Sequence, residues 1–155
     1  VAAEPDHSGA VTLPPVLYGL FFAAGLGLER LAPTDLLPPA VGAVAGPILI
    51  AGGILIAVLA FRQFRNAETT VHVHRPSTAL ITGGPFARSR NPLYLALTLW
   101  YAGAAAWLNG AWMLVLLPAA MAALHYGVIV REERYLERKF GDDYRRYCRR
   151  VRRWL

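Results

Sequence analysis

Residues 92–130 contain no aspartate, glutamate, lysine or arginine. Between residues 13 and 61 the only such residues are Glu29, Arg30 and Asp35. Charge-free lengths on this scale match the roughly 20 residues a helix needs to cross a hydrocarbon core, and they argue against an ordinary soluble globule. The chain has 155 residues, 55% of them hydrophobic, so one membrane domain is expected. Turn signals divide the apolar sequence: the proline-rich LAPTDLLPPA after Arg30 and the pair Asn109-Gly110 each interrupt a helix. The reading is an all-α integral membrane bundle of four transmembrane helices, at residues 15–31, 40–61, 92–108 and 111–130. A cytoplasmic loop at 63–91 and amphipathic C-terminal helices at 131–153 complete the single domain. The first span is short and is expected to lean on its flanks or to sit in a thinned bilayer.

Charge then fixes the orientation. Of 16 Lys and Arg residues, 15 fall within residues 62–90 or 131–155. Four spans put both regions on the same side as the N-terminus, and the positive-inside rule makes that side cytoplasmic. Three spans would separate the two basic regions across the bilayer. The expected location is a bacterial inner membrane, with both termini in the cytoplasm. The opening VAAEPDHSGA carries no basic region, which argues against a retained signal peptide.

Within the spans, Gly42 and Gly46 form a small-xxx-small pair, and Gly52-Gly53 follow; glycines so spaced let helices approach closely. Asn91 reads as an N-cap with Pro92 at the first helical position, and Pro118 as a kink. The third and fourth spans form an antiparallel hairpin. Beyond Arg131, the residues Leu136, Phe140, Tyr144, Tyr147, Val151 and Trp154 recur at steps of three or four. That is one face of a helical path, interrupted at Gly141. The other face is arginine-rich, as expected of a helix lying on anionic headgroups with Trp154 at the interface. The net charge of +6 therefore needs no nucleic acid partner. The single cysteine, Cys148, excludes an intrachain disulfide.

Two polar elements remain. The first is ITGGPFARSRNPLY, residues 81–94. Gly83 and Gly84 permit positive φ and close backbone approach. The stretch feeds the N-terminus of the third span, where free amides favour an anion, and Arg88 and Arg90 add positive charge. A turn with arginine anchors explains the same residues without a ligand. The second element is Glu132-Glu133, where the last span leaves the bilayer. Neighbours on a helix point about 100° apart, so at most one faces a pocket; pairing with Arg131, Arg134 or Arg138 is the structural alternative. His125, inside the fourth span, is an intramembrane ionisable group and a functional candidate on that ground. His72 and His74 lack matching ligands, so no metal is expected. No P-loop, G-x-S-x-G or G-x-G-x-x-G is present, which removes support for serine hydrolase and Rossmann-type readings.

TTVHVHRPSTALITGGPFARSRNPLY, followed after a hydrophobic hairpin by REERYLERKFGDDYRRY, resembles the isoprenylcysteine carboxyl methyltransferase family, a grouping that includes the membrane phospholipid N-methyltransferases. The resemblance covers about residues 60–152. It implies S-adenosylmethionine as methyl donor and a lipid-like or amphiphilic acceptor at the cytoplasmic membrane face. It further implies that Thr78, Ala79, Leu80, Ile81, Gly83, Gly84, Pro85 and Phe86 line the cofactor. Asn91, Pro92, Leu93 and Tyr94 correspond to the family's stretch before and into the third span, and Glu133 to its cofactor-binding glutamate. Phe86 stands where many relatives have tyrosine, and Asn91 where the family often has histidine. Relatives acting on prenylated cysteine carry an arginine about one turn before the glutamate. Here that register falls on Val128 or Ile129, with Arg131 as a substitute, so a prenylcysteine carboxylate is not supported.

Methyl transfer from a sulfonium asks mainly for two reactants held at near-attack distance. For a carboxylate acceptor, Arg90 or Arg131 is the orienting candidate; for an amine or hydroxyl, Glu132 or His125 is the candidate to take the proton. Two alternatives stand beside this reading. One is an NADPH-dependent membrane reductase of the sterol-reductase type, and the other a non-catalytic membrane protein retaining the fold. The sequence leaves the acceptor and the oligomeric state open.

Overall fold

The computed structural model describes residues 13–35, 37–67 and 79–155. The described residues are all-α: α1 Pro14–Leu31, α2 Pro39–Asn66, α3 Pro92–Trp107, α4 Ala111–Leu124 and α5 Val130–Arg150. A 3₁₀ turn, Gly84–Ala87, precedes α3. A π-helical turn, His125–Ile129, joins α4 to α5, so that one helical path runs from Ala111 to Arg150. The helix thus continues through Val130, where the sequence predicts the end of a span and a separate interfacial helix after it.

Local chemistry accounts for the helix ends. α1, α2 and α3 each begin with a proline in the first turn, where a missing N–H breaks no intrahelical bond and φ is already helical. Arg30 and Arg65 lie in the last turns of α1 and α2, favourable against the negative end of the helix dipole. Helical structure runs through Pro47 and Pro118. In α5 the expected interruption occurs at Gly141, with φ 51° and ψ −121°. Arg145 and Arg146 then pair with Asp142 and Asp143 one turn back.

α2 and α3 approach backbone to backbone. A Cβ added at Gly42 would meet the Ala106 carbonyl, and one at Gly46 would lie 2.8 Å from the Gly103 carbonyl oxygen. At Gly53 it would lie 2.9 Å from the Ala96 carbonyl oxygen, whereas Gly52 has nothing within 4 Å. Gly25 of α1 similarly faces Met113 of α4. Small residues at crossings are how helices gain van der Waals contact where lipid removes any hydrophobic drive between them. Around these crossings Tyr18, Tyr101, Met113, Leu124, Val128 and Ile129 form the buried core. The rings of Tyr18 and Phe22 stand edge-on to Tyr101.

Two helices are long and apolar enough to cross a membrane, α2 and the path from Ala111 to Arg150. α3 has 16 residues, and Glu29-Arg30 with two prolines dilute α1, so neither reaches that standard. Exposed Val41, Val44, Ile48, Leu55 and Val58 leave α2 apolar on its outer face. The protein is thus membrane-associated.

At one end of the bundle a polar lock ties α1 and its loop to the α3–α4 hairpin. Glu29 accepts from the Trp112 backbone N–H at 3.2 Å and from the Thr34 backbone N–H at 2.5 Å. Asn109, with φ 52°, donates to Asp35 at 3.0 Å and accepts from the Leu37 N–H at 3.0 Å. The other end holds the loop before α3, the start of α5 and the C-terminal tail.

Candidate active site

The glycine turn is built against α2. Gly84 has φ 57°, and a Cβ there would lie 2.8 Å from Gln63 Nε2; the left-handed backbone is why glycine suits the position. Phe86 is buried, its ring edge-on to Phe64 of α2 at 5.5 Å between centroids. From the other side Tyr147 of α5 donates its hydroxyl to the Phe86 carbonyl at 2.7 Å. Burial pushes the Tyr147 hydroxyl well above the ordinary tyrosine value, so it acts as a donor here. Tyr144, Tyr147 and Val151 pack with Leu80, Leu136 and Phe140, and Trp154 packs against the bundle core. The apolar face of α5 is therefore covered by the protein itself, not laid on headgroups as the periodicity implied.

After Arg150 the chain leaves the helix at Val151 (φ −124°, ψ 129°) and returns across the turn. The Arg90 N–H donates to the Arg152 carbonyl at 3.0 Å. Asn91 Nδ2 donates to the Arg153 carbonyl at 2.9 Å, and Ser89 Oγ to the same oxygen at 3.4 Å. Asn91 holds the N-cap position of α3 but makes no side-chain cap bond. Its amide is spent on the tail, so the expected capping role is replaced by a tethering one.

The two glutamates diverge. Glu133 Oε1 lies 3.1 Å from Arg90 Nη1 and 2.9 Å from Arg153 Nε, and its Oε2 lies 2.6 Å from Arg153 Nη2. Glu132 turns toward α3, where Oε2 accepts the Tyr94 hydroxyl at 2.8 Å. Burial, only partly offset by that bond, raises the Glu132 carboxyl above its ordinary value. Arg90 also places Nη1 2.8 Å from Cys148 Sγ; its Nε is buried and, among the described residues, without a hydrogen-bond partner.

A cleft of about 410 Å³ opens beside this cluster. Its walls are apolar: Val16 at the start of α1, Ala57, Phe61 and Phe64 of α2, and Pro92, Leu93, Ala96, Leu97 and Trp100 of α3, with Phe86. Its polar lining is Arg90, Asn91, Tyr94 and Glu132. The recess thus joins apolar walls from α2 and α3 to a carboxylate and a guanidinium in its lining.

Sequence reasoning and geometry agree unevenly. Arg90, Asn91, Tyr94, Glu132 and Glu133 come together, and Phe86, Pro92 and Leu93 border them. Glu133 does not line the cleft; Glu132 does. Gly83 and Gly84 are exposed beside Gln63, and Pro85 carries the carbonyl that caps the 3₁₀ turn. Ala79 and Ile81 are half-buried. Thr78, with His72 and His74, lies outside the described residues. His125 sits in the π turn with its ring against Tyr126, and neither it nor exposed Arg131 lines the cleft. Arg153, Ser89, Tyr147 and Cys148 had no place in the sequence-derived site. The helical period carried Tyr147 only as an apolar position and left Arg153 on the arginine-rich face expected at the headgroups, whereas the helix ends at Arg150.

A polar cluster beside an apolar recess at the end of a helical bundle defines a site where a charged reactant can meet an amphiphile. The profile of the phospholipid methyltransferase family matches residues 41–143, and the chain belongs to that family. Methyl transfer from S-adenosylmethionine is the activity of this class, which decides for an enzyme of methyl transfer over a nicotinamide-dependent reductase. A protein of Haemophilus influenzae (strain ATCC 51907 / DSM 11121 / KW20 / Rd), described as uncharacterized, is 48% identical over 63 residues, covering 41% of this chain and 89% of that protein. No solved structure matches the chain. The donor set fits the family's cofactor. A carboxylate, Glu133, suits a cationic amino group, and Arg90 Nε offers a buried donor. The exposed glycine turn leaves backbone open to close approach.

Proposed function

We propose that the chain methylates an amphiphile drawn from the bilayer, with S-adenosylmethionine held between the glycine turn, residues 79–86, and Glu133. The acceptor's apolar part lies in the cleft along α2 and α3, and its reacting heteroatom sits by Tyr94 and Glu132. The observation that carries this reading is the cleft itself: apolar walls together with a hydrogen-bonded Tyr94–Glu132 pair, beside the Glu133 cluster. In this reading four helices cross the bilayer, α3 and α1 as short spans among longer ones. The two basic regions share the cytoplasmic face, as the charge distribution requires.

When bound, S-adenosylmethionine would be held by the glycine turn and Glu133 and would supply a methyl group on a sulfonium, electrophilic toward an acceptor lone pair. Glu132 takes the proton that an amine or hydroxyl acceptor releases, and Tyr94 orients that carboxylate through its hydroxyl. A carboxylate acceptor is less suited, because Arg90 is already engaged by Glu133 and Cys148. The apolar walls exclude water, so the protein supplies orientation, electrostatics and dryness.

Purified protein in lipid nanodiscs, incubated with methyl-labelled S-adenosylmethionine and a lipid extract, tests the reading by mass spectrometry. Label in an amine- or hydroxyl-bearing amphiphile is expected, with Leu97→Trp in the cleft wall raising KM for it. Label confined to water-soluble acceptors, or none transferred by protein shown to bind the cofactor, would refute it.

A further inference from the structure

Arg153 lies beyond the segment matched by the family profile, yet it makes the shortest contact to Glu133. Two guanidiniums share this one carboxylate, and they are held differently. Arg90 is the inner partner: its side chain is 15% exposed, and Cys148 Sγ and the Arg152 carbonyl fix its Nη1 and backbone N–H. Arg153 is the outer partner, 36% exposed, on a tail with no helix to constrain its side chain. Its carbonyl is tethered by Asn91 and Ser89, so the guanidinium has freedom to turn while the backbone stays.

We propose that Arg153 is a cofactor-binding residue that exchanges partners. Its guanidinium pairs with Glu133 in the free protein, and turns to the α-carboxylate of bound S-adenosylmethionine, leaving Glu133 to the neighbouring α-ammonium. The proposal rests on the reading of Glu133 as the cofactor's anchor. Charge matching supports it. In the free cluster Glu133 serves two cations, Arg90 and Arg153; a zwitterion adds one carboxylate and one ammonium, so Arg153 gains a carboxylate of its own while Glu133 keeps Arg90 and takes the ammonium in place of Arg153. The planar fork of arginine suits a carboxylate at either position, which a lysine point charge does not reproduce. No covalent bond changes and no proton moves.

Calorimetric titration of the full chain in detergent micelles, with wild type, Arg153→Met and Arg153→Lys, tests this directly. The probes are S-adenosylhomocysteine and decarboxylated S-adenosylmethionine, which keeps the amine and lacks the carboxylate. Arg153→Met should weaken S-adenosylhomocysteine by at least ~10-fold, the scale of a lost charge-assisted contact. It should leave the decarboxylated ligand unchanged or tighter. Arg153→Lys should show a smaller loss with the same ligand selectivity, and it provides the readout if the methionine variant does not fold. Unchanged or tighter S-adenosylhomocysteine binding by the variants overturns the proposal while the methyltransferase reading stands. An equal loss for both ligands also overturns it, since Arg153 would then act by holding the fold. Wild-type protein that binds neither ligand overturns the anchor reading, and this proposal with it.

Discussion

Arg153 grips Glu133 across both carboxylate oxygens, Nε 2.9 Å from Oε1 and Nη2 2.6 Å from Oε2. The pair joins the tail to the start of α5, and Arg90 joins the same carboxylate to the loop before α3. One side chain thus holds three separate pieces of chain. Replacing Glu133 with glutamine leaves two guanidiniums facing each other without an anion. Glu133→Gln should destabilise the fold by about 2 kcal/mol, the scale of losing charge-assisted bonds at a largely buried site. S-adenosylhomocysteine binding should fall at the same time. Thermal unfolding with calorimetric titration checks both.

Tyr94 and Glu132 make a different test. The Tyr94 hydroxyl opposes the rise that burial imposes on the Glu132 carboxyl. Tyr94→Phe removes that opposition, so the carboxyl rises further and a smaller fraction is ionised at a given pH. The acid limb of the kcat/KM profile should therefore move to higher pH, with kcat lowered. The stability link has the matching sign. A folded-state value above the unfolded one favours the protonated form, so Glu132's contribution is fullest at low pH and is lost as pH rises through the raised value. An unmoved acid limb in Tyr94→Phe would remove Glu132 as the group that takes the proton.

Gly84→Ala separates backbone strain from crowding. The left-handed φ of 57° is costly for any side chain, while the 2.8 Å neighbour is the flexible end of Gln63. The substitution should cost about 1 kcal/mol, and most of that loss should persist when Gln63 is first changed to alanine. Chemical unfolding of the four proteins in the cycle provides the comparison.

Gly46 and Gly52 look alike in the sequence and differ in the fold. A Cβ at Gly46 meets the Gly103 carbonyl oxygen at 2.8 Å, whereas Gly52 has nothing within 4 Å. Gly46→Leu should destabilise by about 1–3 kcal/mol, the range for overpacking. Gly52→Leu should be neutral or slightly stabilising, since glycine weakens a helix interior. Unfolding in mixed detergent micelles distinguishes them.

Much of the fold was legible before any coordinates. The proline start of α3, the break at Gly141, the hairpin at Asn109-Gly110 and the close approach at Gly42 and Gly46 all have local causes. Each depends on a residue's own backbone preferences or on its neighbours three or four positions away. The count of four spans is matched only in part, by two helices long and apolar enough to cross a membrane. Apolar composition marks a segment as fit for lipid, but α1 and α3 fall short in length or apolarity. The π turn at His125–Ile129 carried no signal, because it inserts a residue into a helical period that otherwise looks continuous.

The site divides along the same line. Residue types and their order pointed to a methyltransferase family, and that resemblance implied Gly84, Asn91, Tyr94 and Glu133 at the cofactor, with Arg90 and Glu132 as candidates on the acceptor's side. Tertiary structure decided which glutamate faces which partner. Helical neighbours diverge by a fixed angle, but the angle's origin is set by how α5 packs on α3, so Glu132 meets Tyr94 and Glu133 meets the arginines. It also brought in Arg153, twenty residues past Glu133, through a tail whose path is fixed by hydrogen bonds to Ser89 and Asn91. Contacts made across such a separation have no period or motif to announce them; they exist only once the chain has folded back.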